Sequence, residues 1–179
     1  MLYSAKTSEI HKSILVAYKE RLDYLENIKH EEDEEPFERS YLHNTIYLHN
    51  LWFEQLLGED IETKSPLFEE ILERREATPQ SFETWMNEFA DAAKPNGWAI
   101  WGWSYPQKTF VGFPIRGDDD GVPLGVTPLL VIDCWEHSYI YDFDGDFGAY
   151  LTKVWKSINW KVVEERHQEL ATMFGFNLK

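Results

Sequence analysis

An α+β fold is predicted by three features of the chain: amphipathic helical patterning fills its first half, aromatic and β-branched runs follow Pro95, and helical patterning returns at the C-terminus. Strands gathered in one block point to an antiparallel sheet of three strands flanked by helices, not to alternating β-α units. Two domains are expected: an antiparallel helical hairpin over residues 1–94 and an α+β domain over 95–179.

The first helix is read from Thr7, a suitable N-cap, to about Ile28, with Ile10, Ile14, Leu15, Tyr18, Leu22 and Leu25 recurring at helical spacing. HEEDEEPFE is highly charged and contains Pro36, so it reads as a solvated connection. A second helix fits SYLHNTIYLHNLWFEQLLG, with Leu42, Ile46, His49, Phe53 and Leu56 on one face and Gly58 as its stop. Shorter helices fit PLFEEILERREA and TPQSFETWMNEFADAAK; the latter opens on a Thr cap followed by Pro and ends before Pro95. GWAIWGWSY and KTFVGFPI read as strands joined by a turn at PQ. The turn-rich GDDDGVPLG precedes a third strand, TPLLVID, whose unbroken apolar run predicts burial on both faces. FGAYLTKVWKSI and NWKVVEERHQELATMF close the chain as helices.

With 43% hydrophobic and 16% aromatic residues the chain can fill a core. Its net charge of −15 argues against nucleic acid, whose phosphates need clustered Lys and Arg. The longest apolar runs are too short to span a bilayer, and MLYSAKTSEIH lacks the apolar core of a secretory signal. A soluble cytoplasmic protein without a membrane partner is expected. The lone Cys134 fits a reducing compartment and reads as a small buried apolar residue.

Six histidines are available, and geometry sorts them. Asp133 ends a strand and His137 follows, so a helical turn there would project both to one side, within reach of one ion. His49 lies on the apolar face of its helix, whereas His43 is about 240° round from it. His11 shares the first helix's core stripe with Tyr18. Each of these alone suits an ordinary core or surface role. Together, three imidazoles and the carboxylate of Asp133 on apolar faces point to a metal, because an unpartnered buried carboxylate is costly. His30 and His167 lie in charged segments expected to be exposed.

TPLLVIDCWEHSY closely resembles the D-x-W-E-H signature of the iron/manganese superoxide dismutases. YLHNLWFEQL resembles that family's second-ligand helix, PNGWAIW its G-W-x-W strand, AYLTKVWKSINWKVVEER its closing helices, and TSEIH the approach to its first ligand. The resemblance implies one iron or manganese ion held by His11, His49, Asp133 and His137, with a solvent as fifth ligand. Tyr18, Trp98 and Trp135 would line the pocket, and Tyr18 would relay a proton. Glu136 would reach across a homodimer interface to the other subunit's His137. The implied reaction converts two superoxide anions and two protons to oxygen and hydrogen peroxide. Arg166 and Lys161 are candidates for local positive field at the pocket mouth, with surface solvation as their ordinary role.

The chain departs from the family in places. Seven residues separate His11 from Tyr18 where the family has eight, and a regular helix places such a pair on one face. Ile140, and Leu15 or Ile14, stand where the family has a Tyr–His pair across the dimer. The outer-sphere Gln that tunes the metal is absent: Thr45 stands at the position used by iron forms. Asp120, in the loop used by manganese forms, is read as an exposed acid, with functional substitution as the alternative. Tyr47 resembles the aromatic typical of iron forms, a lean to iron. The alternative function is a redox-silent structural or assembly protein built on the same fold. A mononuclear oxygenase ranks third, since a third His ligand leaves less room for substrate.

Overall fold

The apolar run after Pro95 forms the centre of the sheet. In the computed structural model, which describes residues 1–27, 37–56, 66–74 and 76–174, β1 (Gly97–Ser104) pairs antiparallel with β2 (Thr109–Arg116) and β3 (Val126–Asp133) in the order β2-β1-β3. All eight residues of β1 are buried, as are the last six of β3, which matches the unbroken apolar run of TPLLVID. The strands are flanked by α1 (Ala5–Asn27), α2 (Glu38–Glu54), α3 (Pro66–Arg74), α4 (Pro79–Ala93), α5 (Phe147–Trp155) and α6 (Trp160–Phe174). The protein is therefore α+β, with helices before and after a three-stranded antiparallel sheet. Among the described residues, no helix is long and apolar enough to cross a membrane.

Helix ends follow local chemistry, with one shift. Ser4, not Thr7, starts α1: its hydroxyl accepts the Thr7 N–H at 3.2 Å, and Thr7 lies buried inside the first turn. α4 opens as expected, with Thr78 and Ser81 exchanging side-chain-to-backbone bonds of 3.1 and 2.8 Å around Pro79. Gly58 and residues 30–36 of the acidic connection lie outside the described residues.

α4 packs on β1 and β2, while α2 and α6 pack on β3. Gly97 is required at the start of β1, because a Cβ there would run into the Ile115 carbonyl and meet the Ala93 carbonyl at 2.8 Å. β3 is an edge strand, and its free edge is closed by side chains. The Gln55 amide donates to the Val131 carbonyl and accepts the Val131 N–H at 3.2 Å, completing the ladder as a neighbouring strand would. Arg166 donates to the carbonyls of Leu129 at 2.9 Å and Leu51 at 2.6 Å, and to Gln55 Oε1 at 3.2 Å. The guanidinium expected at the surface is thus an internal brace joining α2, β3 and α6, because its five donors reach acceptors that these elements present at one place.

α1 is anchored more lightly. It packs on α2 and on the turn after β3, reaches the sheet through His11 beside Asp133, and buries only Thr7, His11 and Leu25. Ile10, Ile14, Leu15, Tyr18 and Leu22 are half-buried, so the expected core stripe is a flank.

Candidate metal centre

The end of β3 sets the centre's geometry. Asp133 pairs with Trp98 across β1 and β3, and opposed residues of an antiparallel pair share a face of the sheet. Asp133 Oδ1 accepts the Trp135 N–H at 2.9 Å, which turns the chain into a 3₁₀ turn over Glu136–Ser138. That turn brings His137 back beside the carboxylate. Asp133 Oδ2 lies 3.5 Å from His137 Nε2 and 3.4 Å from His11 Nε2, which arrives from α1 and also meets Ser138 Oγ at 3.1 Å. One ligand atom from each of His11, Asp133 and His137 lies within 4.8 Å of the others.

His49 stands next to this group but is not part of that close set. Its ring lies parallel to His137 within 13° at 6.0 Å, and edge-on to Trp98 at 4.9 Å. Its Nδ1–H donates to the Thr45 carbonyl at 2.8 Å, which leaves a lone pair on Nε2. His49 Nε2, Asp133 Oδ2 and His137 Nε2 are all buried with no hydrogen-bond partner. Each such atom costs about 1–3 kcal/mol if left unmet. Three such nitrogen and oxygen atoms, with His11 beside them, fit a cation of the iron or manganese kind once the imidazole nitrogens carry no proton there.

Electrostatics agree with that fit at Asp133 and His49, whereas at His137 a proton competes with a cation. Burial pushes the Asp133 carboxyl up, but His137, His11 and His49 together hold it well below the usual carboxylate range. Burial pushes His137 down, yet the adjacent Asp133 carboxylate outweighs it and raises the imidazole. His49 is lowered by burial, which favours its neutral, ligating form.

α1 runs unbroken through His11 and Tyr18, and the Tyr18 ring reaches 6.2 Å from His49. Its hydroxyl lies 3.3 Å from that of Tyr41 on α2. Both tyrosines line an open cleft of about 620 Å³ with Arg21, Glu38 and Asp119. Trp98 is fully buried; Trp135 is half-buried, its ring 6.1 Å from His137; Glu136 is exposed. His43 is also exposed, 3.9 Å from Glu26.

One expectation about the histidines needs correction, and the reading of Asp120 as an exposed acid holds. His167 is 1% exposed, because its face of α6 turns inward and its ring packs at 5.7 Å from Phe110. Asp120 is exposed, its carboxylate accepting the Arg116 N–H at 3.0 Å within the turn; it is the loop acid, and its neighbour Asp118 turns inward. Asp118 accepts Trp98 Nε1–H at 2.8 Å, and burial raises its carboxyl to about 6. Nothing in GDDDG marks which acid is buried. Tyr3 was also missed: its ring lies tilted 4.7 Å from that of His11, and its hydroxyl accepts Trp52 Nε1–H at 3.1 Å.

Residues 68–166 match the family described as iron/manganese superoxide dismutases, C-terminal domain. The chain is 30% identical over 129 residues to a manganese superoxide dismutase of Haloarcula marismortui, covering 72% of this chain and 62% of that protein. It is 33% identical over 95 residues to manganese superoxide dismutase 1 of Halobacterium salinarum, covering 52% and 48%. An iron superoxide dismutase of Tetrahymena pyriformis is 35% identical over 103 residues, covering 58% and 52%. The matches span about half to three-fifths of these relatives' length. Because the family match takes in more than half of the chain, including β3 and the turn that carries Asp133 and His137, the chain belongs to the iron/manganese superoxide dismutase family.

Proposed function

We propose that the protein is a superoxide dismutase whose single iron or manganese ion is held by His11, His49, Asp133 and His137. The observation that carries this reading is the meeting of three unpartnered buried nitrogen and oxygen atoms, on His49, Asp133 and His137, beside the His11 imidazole. When bound, such an ion supplies one-electron chemistry, so that one superoxide is oxidised to oxygen and a second, with two protons, is reduced to hydrogen peroxide.

The chain's own residues do the rest. Asp133 supplies negative charge at Oδ2, while its Oδ1 is held by Trp135 N–H. Thr45 fixes the His49 tautomer. Trp98 and Trp135 exclude water from the imidazoles. Tyr18 holds a proton at its hydroxyl, between His49 and the cleft, with Tyr41 as its neighbour on the solvent side.

The reading extends to a two-domain chain divided near residues 94 and 95, with two ligands from each part. It also extends to a cytoplasmic homodimer in which Glu136 of the partner subunit accepts from His137. The exposed Glu136 and the 21% exposure left at the His137 side chain support that arrangement. Tyr47 leans the metal toward iron. A redox-silent scaffold is favoured by one observation, the apolar Ile140 and Leu15 where the family pairs Tyr with His across its interface.

The deciding experiment loads the protein separately with iron and manganese and measures bound metal and superoxide dismutation together. Activity with either ion, lost in His49→Ala and Asp133→Ala, is the expected result. Stoichiometric metal without activity, or no metal uptake, would favour the scaffold.

A further inference from the structure

His11 reaches the centre from α1, fully buried. Among the described residues its one hydrogen-bond partner is the Ser138 hydroxyl, 3.1 Å from Nε2, while Nδ1 is buried with none. Asp133 Oδ2 lies 3.4 Å from the same Nε2 without forming a hydrogen bond to it. The His49 tautomer is set by a backbone carbonyl; that of His11 is left to a side chain. Ser138 is itself fully buried and directly follows His137 in the 3₁₀ turn. The backbone closes that turn, because the Ser138 N–H donates to the Trp135 carbonyl at 2.9 Å. The hydroxyl is therefore not needed to form it.

A neutral imidazole carries its proton on one nitrogen and a lone pair on the other. On Nδ1 of His11 the proton would be a buried donor with no acceptor. On Nε2 it has Ser138 Oγ to accept it and the Asp133 carboxylate beside it. The metal-free tautomer is thus Nε2–H. A cation at Nε2 displaces that proton, and one ring nitrogen cannot serve the hydroxyl and the cation together. The Ser138 bond stabilises the empty centre and not the filled one.

We propose that Ser138 is a positioning residue that holds His11 in place in the empty centre and yields Nε2 to the cation, so that its hydroxyl lowers metal affinity. The yielding step rests on the reading of His11 as a ligand.

The test compares the full wild-type chain with Ser138→Ala and with Ser138→Thr, which keeps a hydroxyl, and repeats Ser138→Ala in a His11→Ala background. Nitrogen-15 NMR reads the His11 tautomer, urea titration of the metal-free proteins reads stability, and competition with a chelator reads Mn²⁺ affinity. The wild type should show Nε2–H without metal and Nδ1–H when loaded with diamagnetic Zn²⁺. Ser138→Ala should lower the metal-free folding equilibrium about 2- to 10-fold and tighten Mn²⁺ binding by the same factor, since one lost hydrogen bond causes both. Ser138→Thr should restore wild-type affinity, and His11→Ala should abolish the stability effect of Ser138→Ala. A hydroxyl that merely supports the fold would weaken metal binding when removed, so tighter binding separates the two roles. Should Ser138→Ala not fold, the change of wild-type tautomer on Zn²⁺ loading carries the test. Nδ1–H in the metal-free wild type, or Mn²⁺ affinity unchanged or weakened in a folded Ser138→Ala, overturns the proposal alone. A wild type that takes up no Mn²⁺ overturns the ligand reading, and the yielding of Nε2 with it.

Discussion

All eight residues of β1 are buried, whereas α1, with 23 residues, buries three. Both regions bring side chains to one centre, but on different footings. Trp98 and Asp133 come from paired strands whose backbone ladder and packed faces fix them before any side-chain contact is counted. His11 comes from a helix held along one half-buried flank, and its contacts include Ser138, Tyr3, Phe53, His137 and Asp133. The difference teaches that the sheet side can be rigid without metal, while a shared ion would do much of the work of seating α1.

The largest expected effect tests that contrast through the core. Trp101 is 1% exposed and stacks with Phe110 at 5.0 Å, so Trp101→Ala should cost about 3–5 kcal/mol in a urea titration. Val16→Ala on the exposed flank of α1 should stay within about 0.5 kcal/mol. Comparable losses would end the distinction between the two regions.

Metal loading sharpens it. At free Mn²⁺ or Fe²⁺ about 1,000 times the dissociation constant, stability should rise by about 4 kcal/mol. Hydrogen exchange should slow more in α1 than in β3 if the ion bridges them. Slowing confined to β1 and β3 would show that α1 is seated without it.

A smaller effect is expected from pH in the metal-free protein. Burial lifts Asp118 to about 6, above its unfolded value of about 3.9. The folded state therefore binds this proton more tightly, a contribution complete below the unfolded value and lost as pH rises through about 6. Asp118→Asn should gain stability over the wild type at pH 8 and little at pH 4. Asp133 behaves oppositely: its depressed carboxyl stabilises the fold above the unfolded value and loses that contribution as pH falls further. A stability profile of Asp118→Asn parallel to the wild type from pH 4 to 8 would refute the first assignment.

The smallest effect is local and lies outside both regions. Thr78→Ala removes the reciprocal cap of α4 and should cost about 1 kcal/mol by thermal or urea denaturation. A loss much larger than that would mean the cap also positions α4 on the sheet.

The helix and strand assignments were legible because their causes are local. Apolar spacing, the Thr78–Pro79 start and the run TPLLVID each act within a few residues. The meeting of Asp133 with His137 was legible for the same reason, since a strand end followed by one turn brings the two together. Where the reading slipped, the deciding contact was remote or the choice nearly degenerate. Ser4 and Thr7 are both competent caps, and Asp142 settles the start by accepting the Ser4 N–H at 2.7 Å.

By itself the sequence determined the α+β class, the order of its elements and the short-range pairing of Asp133 with His137, which follow from periodicity and spacing along the chain, while its motifs carried the resemblance to the family. Tertiary structure alone decided that Asp118 rather than Asp120 turns inward, that Arg166 and Gln55 close the edge of β3, that His167 is buried, and that α1 lies on a flank. The physical reason is common to the first three. Burying a polar side chain depends on the donors and acceptors that distant elements present to it, and composition does not reveal those.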